Sequence, residues 1–88
     1  MKFAWDTRKN ELVKQQKGRV GFEVIEFAIS TGGLLDQRAN IRYPNQFVLV
    51  VLVGKYVHVV PYEVRGDVYW LITEFPSRRE TKRYMGAK

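Results

Sequence analysis

Phe47-Val48-Leu49-Val50-Val51-Leu52-Val53-Gly54-Lys55-Tyr56-Val57-His58-Val59-Val60-Pro61-Tyr62 is the stretch that decides how this chain folds. Its first seven residues form an unbroken β-branched and aliphatic run, the pattern of a central strand covered on both faces. Gly54-Lys55 is a two-residue turn with glycine first, which returns the chain antiparallel through Tyr56 to Tyr62. Arg65-Gly66-Asp67 supplies the next turn and Val68-Tyr69-Trp70-Leu71-Ile72-Thr73-Glu74-Phe75 the next strand. The second half of the chain therefore reads as an antiparallel β-meander.

Upstream the hydrophobic period is helical. Phe3-Ala4-Trp5 predicts a very short strand, and Asp6 is a good N-cap for a helix from Thr7 to about Lys17, closed by Gly18. Only Leu12 and Val13 are apolar in that helix, while Arg8, Lys9, Lys14 and Lys17 make it a basic rod that needs docking for stability. A second helix, from about Phe22 to Ile29, places Phe22, Ile25 and Ile29 at spacings of three and four and ends near Gly32-Gly33. Between Leu34 and Asn45 the pattern is irregular, with a short strand around Leu35 and turn chemistry at Tyr43-Pro44-Asn45. The expected architecture is α+β: two N-terminal helices packed on an antiparallel meander, then a short C-terminal basic helix or turn, in one domain over residues 1–88.

Composition narrows the function classes. The chain has 88 residues with 15 Lys and Arg against 9 Asp and Glu, a net charge of +6 that favours polyanionic partners. A domain of this size buries roughly 60 to 65% of its unfolded surface, so a partner chain would add stability. Cysteine is absent, which removes disulfides, thiolate metal sites and cysteine nucleophiles. Met1-Lys2-Phe3-Ala4-Trp5-Asp6 has no apolar signal core, and the run from Phe47 to Val53 falls far short of the roughly 20 residues of a membrane helix. A cytoplasmic protein without membrane association is expected.

The chemistry concentrates behind the last strand, in Pro76-Ser77-Arg78-Arg79-Glu80-Thr81-Lys82-Arg83-Tyr84. Arginine presents a planar fork of donors matched to phosphate oxygens, and lysine adds a point charge. On a helix Arg79, Lys82 and Arg83 share one face. A solvated basic tail is the competing description of the same residues. Tyr43, Tyr56, Tyr62, Tyr69, Trp70 and Tyr84 offer surfaces on which bases can stack.

The opening Phe3-x-Trp5-Asp6, the basic first helix, the second helix beginning near Gly21-Phe22-Glu23, the meander and the closing Ser77-Arg78-Arg79-x-Thr81-Lys82-Arg83-Tyr84 together resemble the BrnT-type toxins. The resemblance spans nearly the whole chain in element order; its two ends carry the specific motifs. It departs from the family at Phe75-Pro76-Ser77-Arg78-Arg79-Glu80, which stands for the usual Ile-Ser-Ala-Arg-x-Ala. It departs again around Gln16-Lys17, where the family's histidine is missing, and at Arg83-Tyr84, which replaces a glutamate-arginine pair.

What the resemblance implies is a RelE-like fold and a ribonuclease toxin of a type II toxin-antitoxin system. Such a toxin cleaves RNA without metal or cofactor by attack of a ribose 2′-oxygen on the adjacent phosphorus. A small cognate antitoxin would neutralise it, within a higher-order complex or otherwise. Arg78 matches the terminal-motif arginine and takes the role of phosphate binding and transition-state stabilisation, with Arg79 as its catalytic neighbour. Lys82, Arg83, Lys9 and Tyr62 extend the RNA grip. Tyr84 can protonate the leaving 5′-oxygen, stack on a base, or pack on the sheet. His58, the only histidine, has the chemistry for proton transfer, and strand alternation sets it on an aromatic, RNA-facing side with Tyr56 and Tyr62; a half-buried, hydrogen-bonded histidine is the alternative. Glu63 and Glu74 are further base candidates or ion-pair partners. A basic α+β module that binds nucleic acid or a protein partner without cleavage accounts for the same composition.

Overall fold

The computed structural model describes residues 1–86. β1 (Lys2–Trp5) leads into α1 (Thr7–Lys14) and α2 (Phe22–Ser30), followed by β2 (Leu34–Ala39), β3 (Phe47–Val53), β4 (Tyr56–Arg65), β5 (Val68–Leu71), β6 (Phe75–Pro76) and α3 (Arg78–Met85). The strands form one six-stranded sheet in the order β1-β5-β4-β3-β2, with β6 beside β4. The meander is antiparallel from β2 to β5, but β1 runs parallel to β5, Lys2 facing Val68 and Trp5 facing Leu71, so the sheet is mixed. No helix of the described residues is long and apolar enough to cross a membrane.

Local chemistry explains the boundaries. Asp6 caps α1 by accepting the Lys9 N–H at 3.0 Å. That helix ends at Lys14, three residues before the sequence pattern suggests, and Gly18 turns the chain with φ near 79°. The N-cap of α2 is Gly21, which has no side chain to offer. Asn10 on α1 compensates: its Oδ1 accepts the Phe22 N–H at 2.8 Å and its Nδ2 donates to Glu23 at 3.0 Å. Asn10 is buried while neighbouring Leu12 stays half exposed, so α1 docks through Val13 and a polar cap. Gly54 and Gly66, at φ of 62° and 63°, make the two hairpin turns.

Strand alternation gives the sheet two different faces. On one, Leu49, Val51, Val60, Tyr62 and Leu71 join Val13 of α1 and Phe22, Ile25 and Ala28 of α2 in the main core. Each fully buried Phe, Leu, Ile or Val contributes about 1.5–3 kcal/mol relative to exposure. On the other face lie Arg38, Val48, Val50, Val57, Val59 and Pro61. There α3 covers only the Val50 and Val57 end, with the Val57 N–H donating to Thr81 Oγ1 at 2.9 Å.

The strand expected from Val68 to Phe75 is broken. Leu71 faces Tyr62 and Phe75 faces Val59, so four steps on this segment oppose three on β4. Pro61 explains the break. A strand residue points its N–H and C=O toward the same neighbour, and Pro61 accepts from Ile72 N–H at 2.9 Å but has no N–H to return. The extra residue forms a bulge at Ile72–Glu74 and turns the Glu74 side chain inward.

Candidate nucleic-acid interface

The uncovered half of the α3 face is a groove. Val48, Val59, Pro61 and Phe75 form its apolar floor, and Thr73, Asn40, Arg42 and Tyr43 rise around it to enclose about 420 Å³. It continues toward α3 into a space of about 290 Å³ that also touches Arg38 and Glu80. The Asn40–Gln46 loop that makes one wall is held by Asn40: its N–H donates to the Gln46 carbonyl and its Oδ1 accepts from Arg42 N–H, both at 3.1 Å. Another recess of about 300 Å³, between α2 and the β3–β4 turn, has Thr31 as its one polar side chain and offers no charge to a ligand.

α3 supplies the cations. Ser77 caps it, accepting from Glu80 N–H at 3.1 Å, and Lys82 and Arg83 in the last turn suit the negative end of the helix dipole. Glu80, Thr81 and Tyr84 turn toward the sheet, whereas Arg78, Arg79, Lys82 and Arg83 are exposed. Among the described residues, the ion pairs involve neither these four nor Arg42. Their charge is thus available to a polyanion.

At the lip between groove and helix sits a cluster that the sequence did not announce. Arg38 Nη1 and Nη2 donate to the two carboxylate oxygens of Glu80 at 2.9 and 3.1 Å, Nη2 also donates to Tyr84 Oη at 2.9 Å, and Nε donates to Asp36 at 2.8 Å. The Arg38 fork holds the Glu80 carboxyl below its ordinary pKa, with Arg83 and Arg79 adding to the effect, and lowers Asp36 as well. Glu80 in turn raises the Arg38 guanidinium. The cluster therefore presents an ionised carboxylate, a permanent cation and a phenol within one contact network. Arg38 and Glu80 are 42 positions apart and lie in segments with no shared motif, so only the pairing of β2 with β3 and of α3 with β4 brings them together. The one available signal was Ser77-x-x-Glu80, the spacing of a helix capping box. In the structure Glu80 turns from that role to Arg38.

The remaining expected residues divide between the faces. His58 and Tyr62 lie on the side covered by α1 and α2, each 4% exposed, which corrects the expectation of an RNA-facing aromatic side. The alternation was read correctly, but the helices cover that face. Tyr62 stacks on Tyr69 with centroids 4.9 Å apart, and burial pushes its phenol up. His58 Nδ1 meets the buried Glu74 carboxylate at 2.5 Å, the hydrogen-bonded alternative for this residue. Glu63 pairs with Arg65. Lys9 is exposed on α1, across the sheet from the groove. Among the described residues no three His, Cys, Asp or Glu side chains cluster as metal ligands. Compared with protein-family models, with curated proteins and with solved structures, the chain finds no match.

Proposed function

We propose that the open-face groove binds single-stranded RNA and that the chain is a RelE-like, metal-independent endoribonuclease toxin of BrnT type, neutralised by a small antitoxin. The observation that carries this reading is the meeting at one groove of an apolar floor, the unpaired Arg42 and the Arg38–Glu80–Tyr84 cluster, whose Glu80 and Tyr84 lie on the helix that also carries the exposed Arg78, Arg79, Lys82 and Arg83. Arg42 and the α3 arginines neutralise phosphates, while Tyr43 and Phe75, both substantially exposed, provide stacking surface. In cleavage the 2′-oxygen attacks phosphorus and the 5′-oxygen leaves. Arg78 and Arg38 stabilise the developing negative charge, ionised Glu80 is in the form that accepts the 2′-proton, and the Tyr84 phenol can give one to the leaving oxygen.

The test uses purified chain and single-stranded RNA with EDTA present. Cleavage leaving 2′,3′-cyclic phosphate ends supports the reading, and intact RNA with a folded protein removes it. Co-expression with a small reading frame adjacent to this gene tests the partner: co-purification and relief of a growth defect are expected.

A second reading, binding without cleavage, is favoured by one specific observation. Glu80 and Tyr84 are engaged by Arg38, and His58 by Glu74, so every proton-transfer candidate already has an internal partner. Salt-dependent RNA affinity without product would select it.

A further inference from the structure

Glu74 is completely buried, and the chemistry proposed for the groove makes no use of it. Its Oε2 accepts from Val20 N–H at 2.9 Å and Arg19 Nε at 3.3 Å, and its Oε1 meets His58 Nδ1 at 2.5 Å. Arg19 also donates through Nη2 to Thr73 Oγ1 at 2.8 Å. These partners come from the loop joining α1 to α2 and from β4, on the face of the sheet opposite the groove.

The position of Glu74 in the chain gives the cluster its consequence. Its two neighbours, Thr73 and Phe75, both line the groove. The residues Ile72–Glu74 form the bulge opposite Pro61, where ladder bonding between β5 and β6 is interrupted. A bulge held to the neighbouring strand by one backbone bond, Ile72 N–H to the Pro61 carbonyl, has several accessible positions beyond that bond unless something else fixes it. Here side chains supply the fixing: Glu74 is anchored by Val20, Arg19 and His58, and Thr73 by the same Arg19. A buried ionic cluster is a weak source of net stability, because desolvation offsets much of the attraction, yet it strongly prefers one geometry. Val59, adjacent to His58, completes the coupling, since it too floors the groove.

We infer that Glu74 is a positioning residue: with Arg19 and His58 it pins the β5–β6 bulge from behind and so sets where Thr73 and Phe75 stand in the groove. The inference rests on the groove being the RNA site. Glu74 touches no substrate.

The experiment compares the full chain with Glu74→Gln, which keeps size but loses the charge, and with Arg19→Lys, which keeps the charge but loses the fork to Thr73. Glu11→Gln, on the exposed surface of α1, is the control. Binding is read with labelled 2′-O-methyl oligouridylate, which cannot react through a 2′-oxygen, at a temperature where each protein is folded. Amide hydrogen exchange is read in the same samples without RNA. The expected result for Glu74→Gln is affinity lower by about tenfold and exchange at Ile72–Phe75 faster by at least about tenfold relative to Leu49–Val51. Arg19→Lys is expected to change both in the same direction, and it carries the test alone if Glu74→Gln does not fold. A lower melting temperature with unchanged affinity, or faster exchange spread evenly through the sheet, overturns the inference. Failure of the unaltered chain to bind oligouridylate overturns the RNA reading instead, and the localised exchange result then decides the pinning by itself.

Discussion

The two faces of this sheet are built from similar strands and finished by different means. Behind it, α1 and α2 close an apolar core, and the polar groups admitted there, Asn10, His58 and Glu74, are all bonded inside the protein. In front, α3 covers one end and leaves Val48, Val59, Pro61 and Phe75 as the floor of an open groove edged by Arg42 and, toward α3, by Arg38. A closed face derives its free energy from burial, whereas an open one must leave part of its apolar and charged surface unpartnered to be of use to a ligand. Stability and binding should therefore respond to substitutions on opposite sides of the same sheet.

The largest separation is expected from a pair of phenylalanines. Phe22→Ala, at a site with no exposure, should cost about 3–5 kcal/mol in urea unfolding. Phe75→Ala, at 41% exposure, should cost under about 1 kcal/mol while weakening RNA binding. Equal losses of stability would break the contrast.

Next comes the cationic edge. Arg78→Ala should slow cleavage by about 10²-fold with an unchanged melting temperature, as expected for a charge-stabilising donor. If RNA binding occurs without cleavage, the same substitution should instead lower affinity and flatten its salt dependence.

Acid should loosen the tether of α3 to the sheet. The ionised form of Glu80 is the one Arg38 binds, so its folded-state pKa lies below the ordinary 4.5. The stabilisation is fully present above 4.5 and is lost as pH falls through the depressed folded value, with Asp36 acting in the same sense. An NMR titration of the Glu80 carboxyl and the Thr81 amide should show α3 responding together with Glu80. Independence of the two signals would mean that the Arg38–Glu80 pair does not tether the helix.

The smallest effect is expected at Lys9. Exposed on α1 and across the sheet from the groove, Lys9→Ala should alter cleavage or affinity by less than about threefold. A loss comparable to that at Arg78 would place the RNA path around the whole basic surface.

The contrast between faces also explains what the sequence could reveal. The apolar run Phe47–Val53, the glycine turns at 54 and 66, the Asp6 cap and the Phe22, Ile25 periodicity are local signals, and each corresponds to an observed feature. The cations of α3 were equally legible, because four positive charges in six residues need no tertiary information. Three features were not. The parallel placement of β1 depends on a strand far away in sequence. The inward turn of Glu74 depends on an N–H that Pro61 lacks toward a neighbour not known in advance. The assembly of Arg38 with Glu80 and Tyr84 depends on α3 lying across β4. His58 and Tyr62 show the same limit: alternation set them correctly on one side, but alternation alone does not say which side the helices cover.

One pairing has a consequence in time. Because Lys2 lies beside Val68 and Trp5 beside Leu71, β1 has no partner during synthesis until the chain has been extended through β5. Such long-range closure slows folding, since the entropy of a large loop is lost before the contact forms. Until then the nascent chain holds α1 and α2 without the finished sheet on which they rest. The groove, framed by segments from Arg38 to Glu80, assembles only once α3 has been made, so a chain stopped short of α3 would have no complete binding surface to present.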